Sequence, residues 1–244
     1  MNNIDIISSV EKYISEHIAE FHEARIEKLK KLKINEILRR KNPYMFKAKF
    51  QEDPFELVKS LMDAVCSSSE ETIFGDWLEK LAIFVAGEVY GGQKSTTKGV
   101  DLEMDKDDVH YIISIKSGPN WSNSSSKTKQ EEYFSTAQRV YRTGGNRKAC
   151  KSLIGCCYGK KNDPDSDPIK LCGQSFWQFI SNSDSLYLDI IVPLGTDAKI
   201  KDEAYKIEYK KIRTGLYTKF IHNYCNKDNT INWEKIVRLN AEAK

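Results

Sequence analysis

A chain of 244 residues with 40% hydrophobic and 30% charged residues has the composition of a globular protein, with room for one large domain or a core with appendages. No stretch approaches about 18 uninterrupted apolar residues, which excludes a membrane-spanning helix, and the opening MNNIDIISSVEKYISEH lacks the basic and apolar regions of a secretory signal, so a cytoplasmic location is expected. The net charge of +3 decides little alone, but lysine and arginine gather at 28–49 and 127–161 while acids gather at 101–108 and 163–167, a distribution suited to handling a polyanion through a cation.

In chain order, residues 5–40 predict one or two amphipathic helices, with Ile14, Ile18, Phe21, Ile26, Leu29, Leu32 and Ile37 on one stripe, stopped at KNPY. Asp53 before Pro54 predicts a capped helix over 54–66, CSSSEE a break, and 72–89 a second helix with Trp77, Leu78, Leu81, Ala82 and Val85 inward. Gly91 and Gly92 end it. Two strands follow, over 99–105 and 109–117, joined by the turn DKDD. The polar loop SGPNWSNSSS ends in a serine cap and opens a basic helix over 124–142, which stops at TGGN. KSLIGCCYG reads as a short buried strand, GQSFWQFIS as a helix, LYLDIIVPLG as another buried strand, and 200–244 as mostly helical.

That order predicts an α/β or α+β fold, a mixed central sheet flanked by helices. A helical region over 1–52, a core over 53–200 and a helical extension over 201–244 are expected to form one compact unit. The six cysteines contain no CxxC pair and are expected to be reduced thiols, with adjacent Cys156 and Cys157 pointing to opposite faces of a strand. With only four scattered histidines, no structural zinc site is expected.

Side chains alternate along a strand, so Asp101 and Glu103 share one face, as do Ser114 and Lys116. Pairing through the 105–108 turn brings Asp101 to the 114–116 end. A carboxylate beside a lysine at the mouth of a sheet suits phosphodiester cleavage: the acid holds Mg²⁺, and the lysine orients or deprotonates the attacking water. Magnesium keeps several waters, so one or two carboxylates suffice. The same residues also admit a purely structural reading, a lysine snorkelling from a strand end beside a turn aspartate. Two other motifs carry nothing. GEVYGGQKST departs from a phosphate-binding loop because Gln93 separates Gly92 from Lys94 and the helix precedes the strand. SSSK at 124–127 lacks the elements that accompany a serine nucleophile.

The ordered segments FGDWLEKLAIF, GEVYGGQKSTTKGVDLEM and HYIISIKSG resemble the core of the PD-(D/E)XK nuclease superfamily. LIGCCYGK, GQSFWQFISNSDSLYLDIIVPLG and NPYMFKAK resemble portions of type II restriction endonucleases, so that the likeness covers roughly residues 42–195. The resemblance implies a restriction-endonuclease-like core with helical additions at both ends. It implies a catalytic set of Asp101, Lys116, Ser114 and Glu79, with Asp101 and the Ile115 backbone carbonyl as metal ligands. Gly99-Val100-Asp101 lacks the superfamily's proline, a common departure.

The second acid is also missing, because the triplet reads Ser114-Ile115-Lys116 and a neutral serine cannot offset a dication. Some restriction enzymes with this variant carry a compensating glutamate on the next helix, which points to Glu131 first, with Glu132, Glu103 and Glu88 as alternatives. Ser114 is then expected to bond a water at the ion. The resemblance further implies Mg²⁺, replaceable by Mn²⁺, double-stranded DNA as substrate, products with 5′-phosphate and 3′-hydroxyl ends, a homodimer, and a DNA methyltransferase as functional partner. Asn120 and Trp121 in the loop, with Lys127, Lys129, Arg139 and Arg142 on the helix, are the candidate DNA contacts, and the helix start at Ser124–Ser126 offers N–H groups to phosphate. Two rivals remain on the same residues: a repair or junction nuclease, and a catalytically inactive DNA-binding module, for which Ser114 is the argument.

Overall fold

The computed structural model describes residues 3–196 and 198–243. In chain order these form α1 (Asn3–Lys30), α2 (Ile34–Arg39), α3 (Pro43–Ala48), α4 (Pro54–Tyr90), β1 (Gln93–Lys94), β2 (Leu102–Lys106), β3 (Val109–Lys116), α5 (Ser124–Thr143), β4 (Ala149–Cys156), β5 (Ile169–Cys172), α6 (Gln174–Ser181), α7 (Leu186–Asp189), α8 (Ile191–Gly195), α9 (Ala198–Tyr224) and α10 (Trp233–Ala241). The residues divide into two units, one over 3–18 and 74–196 and the other over 19–73 and 198–243.

The first unit is a five-stranded mixed sheet in the order β1-β2-β3-β4-β5. Its hairpin is made by Asp107 and Asp108, both at positive φ (50° and 58°), the backbone that a tight two-residue turn demands and that aspartate tolerates. The turn pairs Lys106 with Val109 and, farther along, Leu102 with Ile113. β3 then runs parallel to β4 from Val109↔Ala149 to Lys116↔Cys156, and β4 parallel to β5.

A strand with neighbours on both sides and helices on both faces has no solvent face, which is why β3 is apolar almost throughout. On one face Ile112, Ile154, Cys156 and Cys172 pack with Phe134 and Ala137 of α5. On the other, Tyr111 meets Phe179 of α6 at 4.9 Å between ring centres, and the Trp177 indole donates to the Cys157 carbonyl at 2.8 Å. Cys156 and Cys157 do point to opposite sides, Cys156 into the α5 cluster and Cys157 into a cavity lined by Trp177 and Leu78. All six cysteines are free thiols, and burial pushes Cys156 up to about 12, far from a reactive thiolate.

The second unit buries Leu29, Ile37, Leu57, Leu61, Phe220, Tyr224 and Ile236 in one cluster. Arg25 is tied to it by Glu70 (Nε to Oε1, 2.9 Å) and stacks over Tyr205 at 3.9 Å.

Four local expectations are corrected. CSSSEE is no break: α4 runs unbroken from Pro54 to Tyr90. Serine costs a helix only a few tenths of a kcal/mol per residue, and the Thr72 hydroxyl bonds back to the Ser68 carbonyl at 3.1 Å, so the stretch stays helical although its exposed serines carry no apolar stripe. LYLDIIVPLG is not a buried strand but the two short helices α7 and α8. The Ser185 hydroxyl bonds Asp189 one turn on at 2.7 Å, and Leu188, Ile191 and Val192 are exposed while Leu186 and Ile190 are buried, the one-sided burial of helical turns. The cap of α5 is Asn123, whose side chain accepts from Ser126 N at 3.0 Å, in place of a serine. The expected strands at 99–105 and 109–117 begin later or end earlier, at Leu102–Lys106 and Val109–Lys116, and short β1 and β5 join the sheet. The other ends follow the expected chemistry, with Asp53 capping α4 through Phe55 N at 2.7 Å and Gly91 closing it at φ 66°.

Because Ser68 lies inside a helix, Ser68→Pro removes a backbone bond there and is expected to lower unfolding stability in urea by about 3 kcal/mol. A loss within about 0.5 kcal/mol, the range of an ordinary surface change, would instead mean that the serine run is a loop.

Candidate active site

The site is built by the mouth of the β2–β3 hairpin. The register that pairs Leu102 with Ile113 sets Asp101 across from Ser114, and the Asp101 amide donates to the Ile113 carbonyl at 2.9 Å. One carboxylate oxygen of Asp101 then takes the Ile115 N–H at 2.7 Å and the Ser114 hydroxyl at 3.1 Å. The Lys116 ammonium stands 4.0 Å from the same oxygen. Both charged side chains are about three-quarters covered, at 24% and 23% exposure, so their attraction is less screened than that of a surface pair. Lys116 Nζ also lies 5.4 Å from the Trp121 ring centre, so the first tryptophan after the strand flanks the amine.

Glu79 of α4 joins electrostatically. Burial raises its pKa above the ordinary glutamate range, and the negative charge of Asp101 raises it further, while Lys94, 3.6 Å away, opposes both. Two carboxylates in one another's field, partly dehydrated and balanced by lysines, have the donor chemistry of a site for a hard cation. Among the described residues no three His, Cys, Asp or Glu side chains converge as a self-sufficient cage. The residues therefore fit an ion held by one or two carboxylates, with water and phosphate completing its shell.

The other predicted acids are placed differently. Glu103 shares the face of Asp101 but turns to the Ser95 hydroxyl and to His110 Nε2, 3.4 Å away. Glu131 is exposed and lines a recess of about 230 Å³ with Trp121, Lys127, Gln130, Asp163 and Lys170. Glu132 and Glu88 are exposed on α5 and α4. The α5 side chain that does reach the hairpin is Gln130, buried at 7% exposure, with its Oε1 3.2 Å from the Ser114 hydroxyl and its Nε2 donating to the Gly99 carbonyl at 2.6 Å. Reading the inward stripe of α5 backward from Ala137 and Phe134 by one turn lands on position 130, a signal available in the sequence. Ser114 is fully buried, its single hydroxyl proton poised between Asp101 and Gln130. Asn120, Lys127, Lys129, Arg139 and Arg142 are exposed, and Trp121 is half-buried.

A mixed sheet whose central strand ends in a lysine beside an aspartate, with a glutamate-bearing helix in the field of that aspartate, is consistent with the PD-(D/E)XK nuclease core. Comparison with protein families is more specific. The family model for the type II restriction endonuclease EcoO109I matches residues 8–202, and the chain belongs to that family. Such enzymes are site-specific deoxyribonucleases, hydrolases whose substrate is double-stranded DNA and which generally use divalent metal ions. No curated protein matches the sequence. Among the described residues no helix is long and apolar enough to cross a membrane.

The sign of the Glu79 shift gives a test. A carboxyl whose pKa is raised by folding costs nothing while protonated and destabilises the fold as pH rises through its folded value. Glu79→Gln is therefore expected to raise the Tm slightly at pH 7 without divalent ions, with the difference vanishing as the pH falls below the carboxylate range. The Lys94 pair it removes is largely exposed on the lysine side and offsets little. A lower Tm for the variant at pH 7 would show that the Lys94 pair outweighs the burial of charge.

Proposed function

We propose that the chain is a Mg²⁺-dependent endonuclease that hydrolyses phosphodiester bonds at a specific sequence in double-stranded DNA. What supports this most is the distance of 4.0 Å between the Lys116 ammonium and the Asp101 carboxylate, at the end of the central strand of a chain in a restriction-endonuclease family. Asp101 would hold the ion, and the carbonyl of Ile115, the residue whose N–H Asp101 already accepts, would be the second ligand. Glu79 supports the ion or Lys116 from α4. Magnesium, when bound, supplies positive charge at the scissile phosphate and makes a nearby water more acidic.

Lys116 orients the attacking water and offers its N–H groups to the charge that develops on the phosphate oxygens. Water attacks phosphorus in line, the bond from phosphorus to the 3′ oxygen breaks, and that oxygen takes a proton, leaving a 3′-hydroxyl and a 5′-phosphate. Ser114 orients Asp101 through its hydroxyl. Glu131 and Glu103 are the candidates for an additional carboxylate, each brought in by a change of side-chain rotamer. Manganese, which accepts the same oxygen donors, is expected to replace magnesium.

Lys127, Lys129, Arg139 and Arg142 supply phosphate contacts from the exposed side of α5, and Asn120 and Trp121 meet the duplex beside Lys116. A two-fold dimer suits a symmetric site, because each half-site then meets the same surface. A methyltransferase of the same specificity is the expected functional partner, since host DNA must be protected.

Incubation with plasmid DNA tests the reading. Discrete fragments are expected with Mg²⁺ or Mn²⁺ and none with a chelator. Asp101→Asn and Lys116→Ala should each slow cleavage by roughly 100-fold or more while duplex binding in Ca²⁺ persists. Cutting at the wild-type rate by either variant would remove that residue from the mechanism. Binding without any cutting in either ion would overturn the enzymatic reading, and cutting confined to branched or damaged duplexes would replace restriction by repair.

A further inference from the structure

We propose that Gln130 is a positioning residue of this site: its side-chain amide, carried by α5, clamps the turn that presents Asp101. The inference rests on the nuclease reading above and deepens it. Asp101 is aimed by the backbone just before it, and that backbone is irregular. Gly99 sits at φ 77°, and Val100 N closes a turn onto the Thr97 carbonyl at 3.1 Å. A Cβ at Gly99 would collide with the Tyr133 ring, so α5 lies directly against this turn. Gln130, one helical turn before Phe134, donates from Nε2 to the Gly99 carbonyl at 2.6 Å and presents Oε1 to the Ser114 hydroxyl at 3.2 Å. It thereby ties the turn before β2 to the strand that carries Lys116.

The amide is the group this bridge needs. The group that Gly99 turns to Gln130 is its carbonyl, so its partner must donate, and the Ser114 hydroxyl offers a proton, so its partner must accept. A side chain with no polar end leaves the Gly99 carbonyl and part of the Ser114 hydroxyl unmatched in a buried place. An ionised glutamate cannot donate to Gly99, and it draws the Ser114 proton away from Asp101. A protonated glutamate does both jobs of the amide, donating through its O–H and accepting through its C=O. The clamp therefore predicts opposite behaviour for Gln130→Glu at low and high pH.

The test uses the full chain with Gln130→Met, of similar length, and Gln130→Glu. Backbone hydrogen exchange is followed at Val100 and Asp101, with Met104 and Ile112 of the hairpin body as internal controls, and cleavage kinetics are followed in Mg²⁺. In Gln130→Met, exchange at Val100 and Asp101 is expected to quicken roughly tenfold, the effect of losing one hydrogen bond, with Met104 and Ile112 unchanged. Its kcat is expected to fall roughly 10- to 100-fold with KM held, the signature of a displaced reacting group. In Gln130→Glu, exchange and kcat relative to wild type are expected to recover as pH is lowered and to worsen as pH rises.

Unchanged exchange at Val100 and Asp101 in Gln130→Met would overturn the proposal. So would Gln130→Glu cutting faster than wild type at alkaline pH with less magnesium, which would make position 130 an ion-ligand position. If the wild-type protein cuts no DNA, the nuclease reading fails on its own, and the exchange comparison still decides the clamp.

Discussion

A single carboxylate oxygen organises this site. Asp101 Oδ2 faces the Ile115 N–H, the Ser114 hydroxyl and the Lys116 ammonium, three consecutive residues of one strand. Consecutive residues on a strand point to alternate faces, so no side chain could reach Ser114, Ile115 and Lys116 together through their side chains. The contact works because the middle member is met through its backbone, which lies in the plane of the sheet. Asp101 must therefore stand at the sheet edge where β2 has just begun, since an aspartate deeper in the ladder would find the Ile115 N–H already used. The register set by Asp107 and Asp108 is thus a condition of this cluster. A slip of one residue would carry Asp101 to the opposite face from Ser114 and Lys116.

The same oxygen explains the neutral side chains around it. Ser114 is fully buried and Gln130 nearly so, and each is a polar group that satisfies a partner without adding charge. Glu79 already feels Asp101, and its pKa is raised, by burial first and by the Asp101 charge second. A third ionised acid packed under Phe134 would add desolvation with little return from Lys116, which is 4.0 Å from Asp101 and shared with Trp121. Buried neutral donors and acceptors satisfy their partners around Asp101 without adding a further charge to be desolvated.

How much of this was legible in the sequence depended on the range of the signal. Asp101, Ser114 and Lys116 could be brought together because a short hairpin and a two-residue period need only local information. The oily β3 announced a strand covered on both faces, and it is the central one of five. Gln130 stayed hidden because it sits in SSSKTKQEE, where every neighbour is polar and the apolar stripe begins only at Phe134. Glu131, next to it, has the more suggestive chemistry, but it is exposed, whereas Gln130 is buried and bonds both Ser114 and Gly99. The continuity of α4 through its serines and the helical LYLDIIVPLG run failed for a related reason. Propensity and pattern are weak where exposed residues carry no packing signal, and a bond such as Ser185 to Asp189 then decides.

α5 carries the argument outward. Its inner face gives Gln130, Phe134 and Ala137 to the sheet, while Lys127, Lys129, Arg139 and Arg142 stand exposed on the rest of its surface. A helix of 20 residues is stiff on the scale of a side chain, so a force on the basic surface moves the inner face with it. The inner face is bonded to Gly99, two residues before Asp101, and to Ser114, two before Lys116. On the proposed reading, phosphates that draw the basic surface in would shift the carboxylate and the ammonium, whose alignment the proposed hydrolysis would depend on. One amphipathic helix would then serve both grip and catalysis, with the amide of Gln130 as the contact through which the first reaches the second.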